Sequence, residues 1–142
     1  MNPLSLLDTC ILSEPTKPNP AELVMHKLNK HEGVMAIPAI AWHELLYGVD
    51  RLPEGRRKRR LTAYTLEVVA PLFAVIPYDD HAAWIHASLR TQSDNEGRPL
   101  SFADGQIASI ALANNMILIT RNIKDFAGIP QLHVENWFEP AD

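Results

Sequence analysis

The sequence predicts an α/β domain built on a mainly parallel sheet with right-handed crossovers. Five apolar segments of strand length recur along the chain, at 4–7, 34–37, 73–77, 116–120 and 131–134. Most of the stretches between them carry apolar residues at helical spacing. Several acids directly follow these strands or begin these helices. In open parallel sheets such residues meet at the carboxyl edge, where ligands bind.

Composition is typical of one globular domain, which we take as 1–142. The chain has 142 residues, of which 46% are hydrophobic and 21% charged. No apolar run approaches the length that spans a membrane. The net charge of -4 argues against a purely electrostatic nucleic-acid binder. It leaves room for a nuclease, because cations offset an acidic metal site.

Cys10 is the only cysteine, so no internal disulfide can form and a reducing cytoplasmic location is expected. No basic neighbour in sequence would lower the pKa of its thiol. We therefore expect Cys10 to pack as a small buried hydrophobe rather than to act as a nucleophile.

The first strand ends on an acid. Leu4, Leu6 and Leu7 require burial on both faces of a covered parallel strand, and Asp8 follows at the carboxyl end. Taken alone, Asp8 is more typical of a turn or a helix cap than of a ligand. The other acids decide between these interpretations.

The next two helices are predicted from their boundaries. After the proline-rich loop 15–20, Asn19 is expected to cap a helix that Pro20 opens and that Gly33 ends. Pro38 opens another helix, which runs to about position 48 or 50. Its residues are apolar on nearly every side, which predicts that Glu44 is buried and needs a partner or a cation.

A basic run at 56–60 opens a long helical stretch to about position 70. Its predicted core face consists of Leu61, Tyr64, Thr65 and Val68. The run itself has two interpretations of equal weight, a solvated helix start and a phosphate-binding patch. Positive charge near a helix N-terminus is disfavoured by the dipole, which modestly favours a functional reason.

Asp79 is a plausible cap for the following helix, which ends before Gly97. The clearest helix covers 101–114, where Ser101 and Asp104 resemble a capping box. Asp104 shares a face with the apolar residues three, four and seven positions later, so its side chain is predicted to point inward. It lies where the carboxyl edge of the sheet would meet it.

Polar residues also follow the most apolar strand, at 120–122, and Asp125 comes shortly after. Asp8, Asp104 and Asp125 thus arrive from strand ends or helix starts, and Glu44 from a helix. Two carboxylates about 4 Å apart repel by roughly 1 kcal/mol in water and about 4 kcal/mol at an effective dielectric of 20. Mg²⁺ or Mn²⁺ would offset this repulsion and suits phosphodiester chemistry. The zinc-protease pattern fails because Tyr47 stands where a second His is needed.

Four segments together resemble the motifs of PIN-domain ribonucleases, most closely the VapC-like toxins of bacterial toxin–antitoxin pairs. These segments are LDTCILSE at 7–14, WHELLYGV at 42–49, SFAD at 101–104 and TRNIKDF at 120–126. The resemblance implies a three-layer fold with strand order 3-2-1-4-5. It also implies a Mg²⁺-dependent endoribonuclease that a small antitoxin inhibits and that is usually dimeric.

The resemblance also assigns residues. Asp8, Glu44 and Asp104 match the three central acids, and Asp125 the more variable fourth. Thr9 and Asn122 match supporting polar positions, whereas Cys10 stands where many relatives have Asn. We expect Asp8 and Asp104 to hold Mg²⁺ directly or through water.

Under the same hypothesis, Glu44 positions the attacking water or acts as its general base, and Asp125 helps hold a second cation or the water. The basic side chains expected to contact RNA phosphates are Arg121 or those of Arg56, Arg57, Arg59 and Arg60. A structure-specific DNA nuclease with the same site and a non-catalytic module of the same fold remain alternatives.

Overall fold

The structure, a computed structural model, describes residues 4–140; the remaining ends of the predicted domain lie outside the described residues. Its sheet has five parallel strands in the order β3-β2-β1-β4-β5, which confirms the predicted fold class and strand order. The strands are β1 Ser5–Leu7, β2 Met35–Pro38, β3 Ala74–Ile76, β4 Ile117–Ile119 and β5 Val134–Glu135.

Seven α-helical segments accompany the sheet within the described range. They are α1 Thr9–Ser13, α2 Glu22–Lys30, α3 Ala39–Asp50, α4 Arg56–Ala63, α5 Ala70–Leu72, α6 Asp80–Asn95 and α7 Phe102–Ala113. A π-helical segment, Tyr64–Val69, joins α4 to α5, and 3₁₀ turns cover Glu14–Thr16 and Ile123–Phe126. Between positions 4 and 140, every helix is too short or too polar to cross a membrane.

The central strand β1 divides the core into two parts. Leu6 packs with the α6 and α7 side of the sheet, whereas Leu7 packs with α1, α2 and α3 on the other side. Both leucines are fully buried, as predicted from an apolar run in a covered strand. Leu7 lies opposite Ile119 of β4, so the residues that follow these two strands emerge side by side.

Helix α2 begins later than predicted, and its cap is different. Asn19 does not cap it; the first helical residue is Glu22, and the backbone N–H of Ala21 donates to Glu14 Oε2 at 2.8 Å. Glu14 is buried, and this hydrogen bond, with help from Lys17, holds the pKa of its carboxyl below the usual value. A buried acid seven residues upstream in sequence therefore does the work expected of the local Asn–Pro pair.

Helix α3 is not buried on every side, and this prediction was wrong. Ala41 and Leu45 face the core, but Leu46, Tyr47 and Glu44 are exposed. Glu44, Gly48 and Val49 border a cleft, and Leu46 and Tyr47 lie on the outer surface. Apolar composition was a poor guide to burial here because the helix is covered on one side only.

The stretch after the basic run is helical to Leu72, but its core face differs from the prediction. Val68 is 41% exposed, whereas Val69 is fully buried. The π-helical segment between α4 and α5 adds one residue to the turn, since the N–H of Ala70 bonds the carbonyl of Thr65. This shifts the inward position from Val68 to Val69.

The last strand is also displaced from its predicted position. It covers Val134–Glu135 rather than 131–134, because Gln131 adopts a positive φ of 66° that a strand cannot contain. By contrast, Asp79 caps α6 as predicted, accepting a hydrogen bond from the N–H of Ala82 at 2.9 Å. Ser101 caps α7 in the same way through the N–H of Asp104.

Candidate functional site

Asp8 stands at the carboxyl end of the central strand with both carboxylate oxygens engaged. Oδ1 accepts from the N–H of Thr9 at 2.7 Å, so Asp8 does cap α1. Oδ2 accepts from the Thr120 hydroxyl at 2.8 Å. The cap and the ligand interpretations are therefore compatible, because each oxygen keeps a free lone pair for a cation.

Thr120 is the positioning residue that the sequence reasoning did not single out. It is fully buried at the end of β4, and its oxygen also accepts from the N–H of Asn122 at 3.1 Å. The supporting positions Thr9 and Asn122 thus act through backbone N–H groups. The signal was available: a hydroxyl residue ends the most apolar strand, beside the strand that carries Asp8.

Cys10 is half-buried near this group, with Sγ 4.0 Å from the Thr120 oxygen. Burial raises the pKa of the Cys10 thiol, and the negative charge of Asp8 acts in the same direction. A thiol that stays protonated is a poor nucleophile, as expected from the sequence.

Asp104 lies in the first turn of α7, whose inward face is buried as predicted at Ile107, Ala108 and Ala111. Desolvation raises the pKa of the Asp104 carboxyl above its usual value, against a lowering hydrogen bond from Ser101. The negative charges of Asp125 and Asp8 raise it further. These three carboxylates therefore lie in one electrostatic neighbourhood.

Asp125 reaches this neighbourhood from the 3₁₀ turn after β4. Its N–H donates to the carbonyl of Asn122 at 3.1 Å, and the next residue, Phe126, is buried in the core. The buried ring anchors the turn while the acid stays exposed at the sheet edge.

Glu44 does not converge with the other three acids. Its side chain is 52% exposed, and its Oε1 lies 3.7 Å from His43 Nδ1. It is not among the charges that raise the pKa of Asp104. Instead it borders a cleft of about 580 Å³ together with Thr9, the neighbour of Asp8.

The predicted basic residues separate into different places. Arg57 and Arg60 line the cleft beside Glu44, whereas Arg59 lines a different one and Arg56 does not border the Glu44 cleft. Arg121 is exposed with its guanidinium over the ring of Phe138, 4.3 Å from the centroid.

The acids form an open arrangement rather than a closed metal cage. Within the part of the chain that the structure describes, no three His, Cys, Asp or Glu side chains are grouped tightly enough to enclose an ion. Mg²⁺ nevertheless suits these residues, because it binds through one or two carboxylates and keeps several waters. The mutual repulsion around Asp104 is what a divalent cation would relieve.

Comparison with known proteins identifies the family to which this fold belongs. Residues 5–131 match the PIN domain family. The chain belongs to the PIN-domain family. This PIN domain is 35% identical to Toxin FitB of Neisseria gonorrhoeae, over 85% of the chain and 89% of the relative.

A second relative and a solved structure also resemble this PIN domain over nearly its whole length. The tRNA(fMet)-specific endonuclease VapC of Shigella flexneri is 31% identical, over 93% of this PIN domain and 96% of the relative. The solved structure of FitAB bound to an IR36 DNA fragment superposes with a TM-score of 0.90 at 31% identity, covering 98% of this chain and 99% of the other. The predicted family membership is thereby confirmed.

Proposed function

We propose that this PIN domain is a Mg²⁺-dependent endoribonuclease, the toxin of a toxin–antitoxin pair. The observation that carries the proposal is that acids meet at the carboxyl edge of the sheet: Asp8 is hydrogen-bonded to Thr120 at the end of β4, and Asp104 and Asp125 border one cleft. A relative named as a tRNA(fMet)-specific endonuclease supports RNA as the substrate.

Each site residue has a task in this mechanism. Asp8 and Asp104 would hold Mg²⁺, with Mn²⁺ as a substitute, and Thr120 fixes the rotamer that Asp8 presents. When bound, the ion would stabilise negative charge on the reacting phosphate and lower the pKa of water. Asp125 adds negative charge near Asp104, which suits it to hold a second cation or to position water.

Glu44 would act from the cleft that it borders together with Thr9. Because its carboxylate is largely exposed, it is free to orient a water near the reacting phosphate or to take its proton. Because Glu44 does not border the cleft that Asp104 and Asp125 share, a role through water suits it better than direct contact with the ion.

The proposed partner is a small antitoxin that suppresses the nuclease, in an assembly that also contains a second copy of this chain. The relative named Toxin FitB and the solved FitAB complex support the antitoxin partner. The second copy of this chain is what the family resemblance implies. If it is correct, the product of an adjacent small reading frame abolishes RNA cleavage at equimolar concentration.

The direct test is RNA cleavage by the full chain with Mg²⁺ and with EDTA. Initiator tRNA, ribosomal RNA, messenger RNA and DNA of matched sequence serve as parallel substrates. We expect Mg²⁺-dependent cleavage of RNA and strong loss of rate in Asp8→Asn and Asp104→Asn. Asp94→Asn, an exposed acid late in α6, removes the same charge as a control.

Two outcomes would reject the proposal. Cleavage that persists in EDTA would exclude the metal, and full activity in both site variants would exclude the acids. Preferential cleavage of DNA would favour the structure-specific DNA nuclease instead.

A further inference from the structure

Two separate clefts reach the acids. One, the Glu44 cleft, has a volume of about 580 Å³ and includes Thr9 beside Asp8. The other, the Asp104 cleft, has a volume of about 620 Å³ and is bordered by Asp104 and Asp125. No lining residue is shared between them. An extended substrate that crosses the acids would enter one cleft and leave by the other.

The two clefts differ in charge. Four basic side chains line the Glu44 cleft, and Glu44 is the one acid among its lining residues; the bases are Lys17, Arg51, Arg57 and Arg60. Lys17 is paired with Glu14 at 3.1 Å, which leaves the three arginines against Glu44. The Asp104 cleft has three acids against Arg98 and Lys124, and its Arg98 is already paired with Glu96. Only the Glu44 cleft therefore attracts a polyanion.

Two arginines of the basic run at 56–60 remain largely free to bind phosphates. Lys58 is engaged by Glu54 at 3.2 Å, but Arg57 makes no ion pair with any described residue. Arg60 donates one hydrogen bond, from Nη1 to the carbonyl of Thr16 at 3.3 Å, which leaves most of its donors free. Arg57 and Arg60, three positions apart on α4, face the same cleft.

Gly48 forms part of the wall of the Glu44 cleft. It lies inside α3, where glycine is less favourable than alanine by about 1 kcal/mol. A Cβ at this position would meet nothing within 4 Å, so packing does not require the glycine. Because Gly48 borders the Glu44 cleft, a side chain there would take up space that a ligand needs.

We infer that this PIN domain holds its RNA on one side of the reacting bond. Phosphates on that side bind Arg57 and Arg60 in the Glu44 cleft, with Arg51 adding positive charge. The strand beyond the reacting bond passes the Asp104 cleft without phosphate contacts. This inference rests on the proposed function, since it names how the same site takes RNA.

The test measures RNA affinity for three variants, each of which removes two positive charges from a different place on the surface. The probe is a fluorescent oligouridylate of about 12 nucleotides, a length that single-strand binding sites cover. EDTA prevents cleavage, and affinity of the full chain is measured between about 50 and 200 mM salt. The three variants are R57A/R60A in the cleft, R56A/R59A at the same spacing elsewhere on α4, and R98A/K124A in the Asp104 cleft.

We expect R57A/R60A to weaken binding and to reduce the salt slope by about 1.4, since each single-strand phosphate contact contributes about 0.7. The other two variants should keep the wild-type slope. Thermal melting checks folding, and if R98A/K124A melts early, the comparison of Lys124→Ala with Arg57→Ala replaces it. Gly48→Phe should also weaken binding, whereas Gly48→Ala should not.

An equal loss in R56A/R59A or R98A/K124A would overturn the inference, as would an unchanged slope in R57A/R60A. A variant R57A/R60A that keeps RNA affinity but loses the antitoxin would assign the cleft to the protein partner instead. These results remain separate from the proposed function, which fails if cleavage persists in EDTA or if Asp8→Asn and Asp104→Asn both keep full activity.

Discussion

Gly105 lies beside Asp104 at the start of α7, and the ring of His86 occupies the space where a side chain would stand. A Cβ on Gly105 would lie 2.2 Å from His86 Nε2 and 2.6 Å from its Cδ2, far inside van der Waals contact. His86 is only 1% exposed, and its Nδ1 is hydrogen-bonded to the Tyr78 hydroxyl at 2.8 Å. Burial and this hydrogen bond therefore hold the ring against Gly105.

This geometry sets the expected cost of Gly105→Ala. Overpacking a core costs about 1–3 kcal/mol, whereas replacing a helical glycine by alanine returns about 0.5–1 kcal/mol. We expect the free energy of unfolding to fall by about 1–2 kcal/mol. For a domain of this size that corresponds to a melting temperature lower by about 3–8 °C. Because Asp104 is adjacent, Mg²⁺ affinity should fall as well.

Urea denaturation of four proteins measures the coupling: wild type, Gly105→Ala, His86→Ala and the double variant. Removing the ring should relieve the clash, so the double variant should be more stable than the sum of the single changes implies. A Gly105→Ala variant as stable as wild type, or strictly additive changes, would refute the close-packed contact between the two helices.

The remaining predictions concern the acids and the buried histidine. Asp104→Asn should abolish RNA cleavage but raise the melting temperature in EDTA. Burial and the charges of Asp125 and Asp8 raise the pKa of this carboxyl and so disfavour its ionised form, which the substitution removes. An unchanged melting temperature would contradict that. Thr120→Val should lower activity about 10–100-fold and Thr120→Ser should restore it, since the hydroxyl orients Asp8; equal loss in both would mean that packing alone matters. Burial lowers the pKa of His86 below 6.5, so the unfolded chain binds more protons. Stability should therefore fall as the pH drops below about 6.5, and His86→Phe should reduce that fall in urea titrations; an identical pH profile would contradict the assignment.

Much of the site could be predicted because its signals are local. Leu6 and Leu7 alternate into the two halves of the core, and Asp8 directly follows them. Asp104 shares its helix face with residues that are buried in the structure. Strand ends and helix faces can be predicted from short sequence patterns. The parallel sheet then brings Asp8 beside the residues that follow β4.

The sequence predictions were wrong where packing against residues distant in sequence, or an irregular helical turn, determines the structure. Glu14 supplies the hydrogen bond expected of Asn19, and no local pattern indicates that it would be buried. Glu44 looked buried because its neighbours are apolar, but only one face of α3 is covered. The π-helical turn before Val69 changes the helical period, which a constant spacing of 3.6 residues does not anticipate.

In the proposed mechanism, Asp8 and Asp104 bind Mg²⁺, and the bound ion supports cleavage of RNA. The most direct measurement is the rate of RNA cleavage as a function of Mg²⁺ concentration, for wild type, Asp104→Asn and the control Asp94→Asn. We expect saturable Mg²⁺ dependence in wild type and control, with loss of rate and a much higher Mg²⁺ requirement in Asp104→Asn. The same Mg²⁺ dependence in all three proteins, or a rate independent of Mg²⁺, would contradict it.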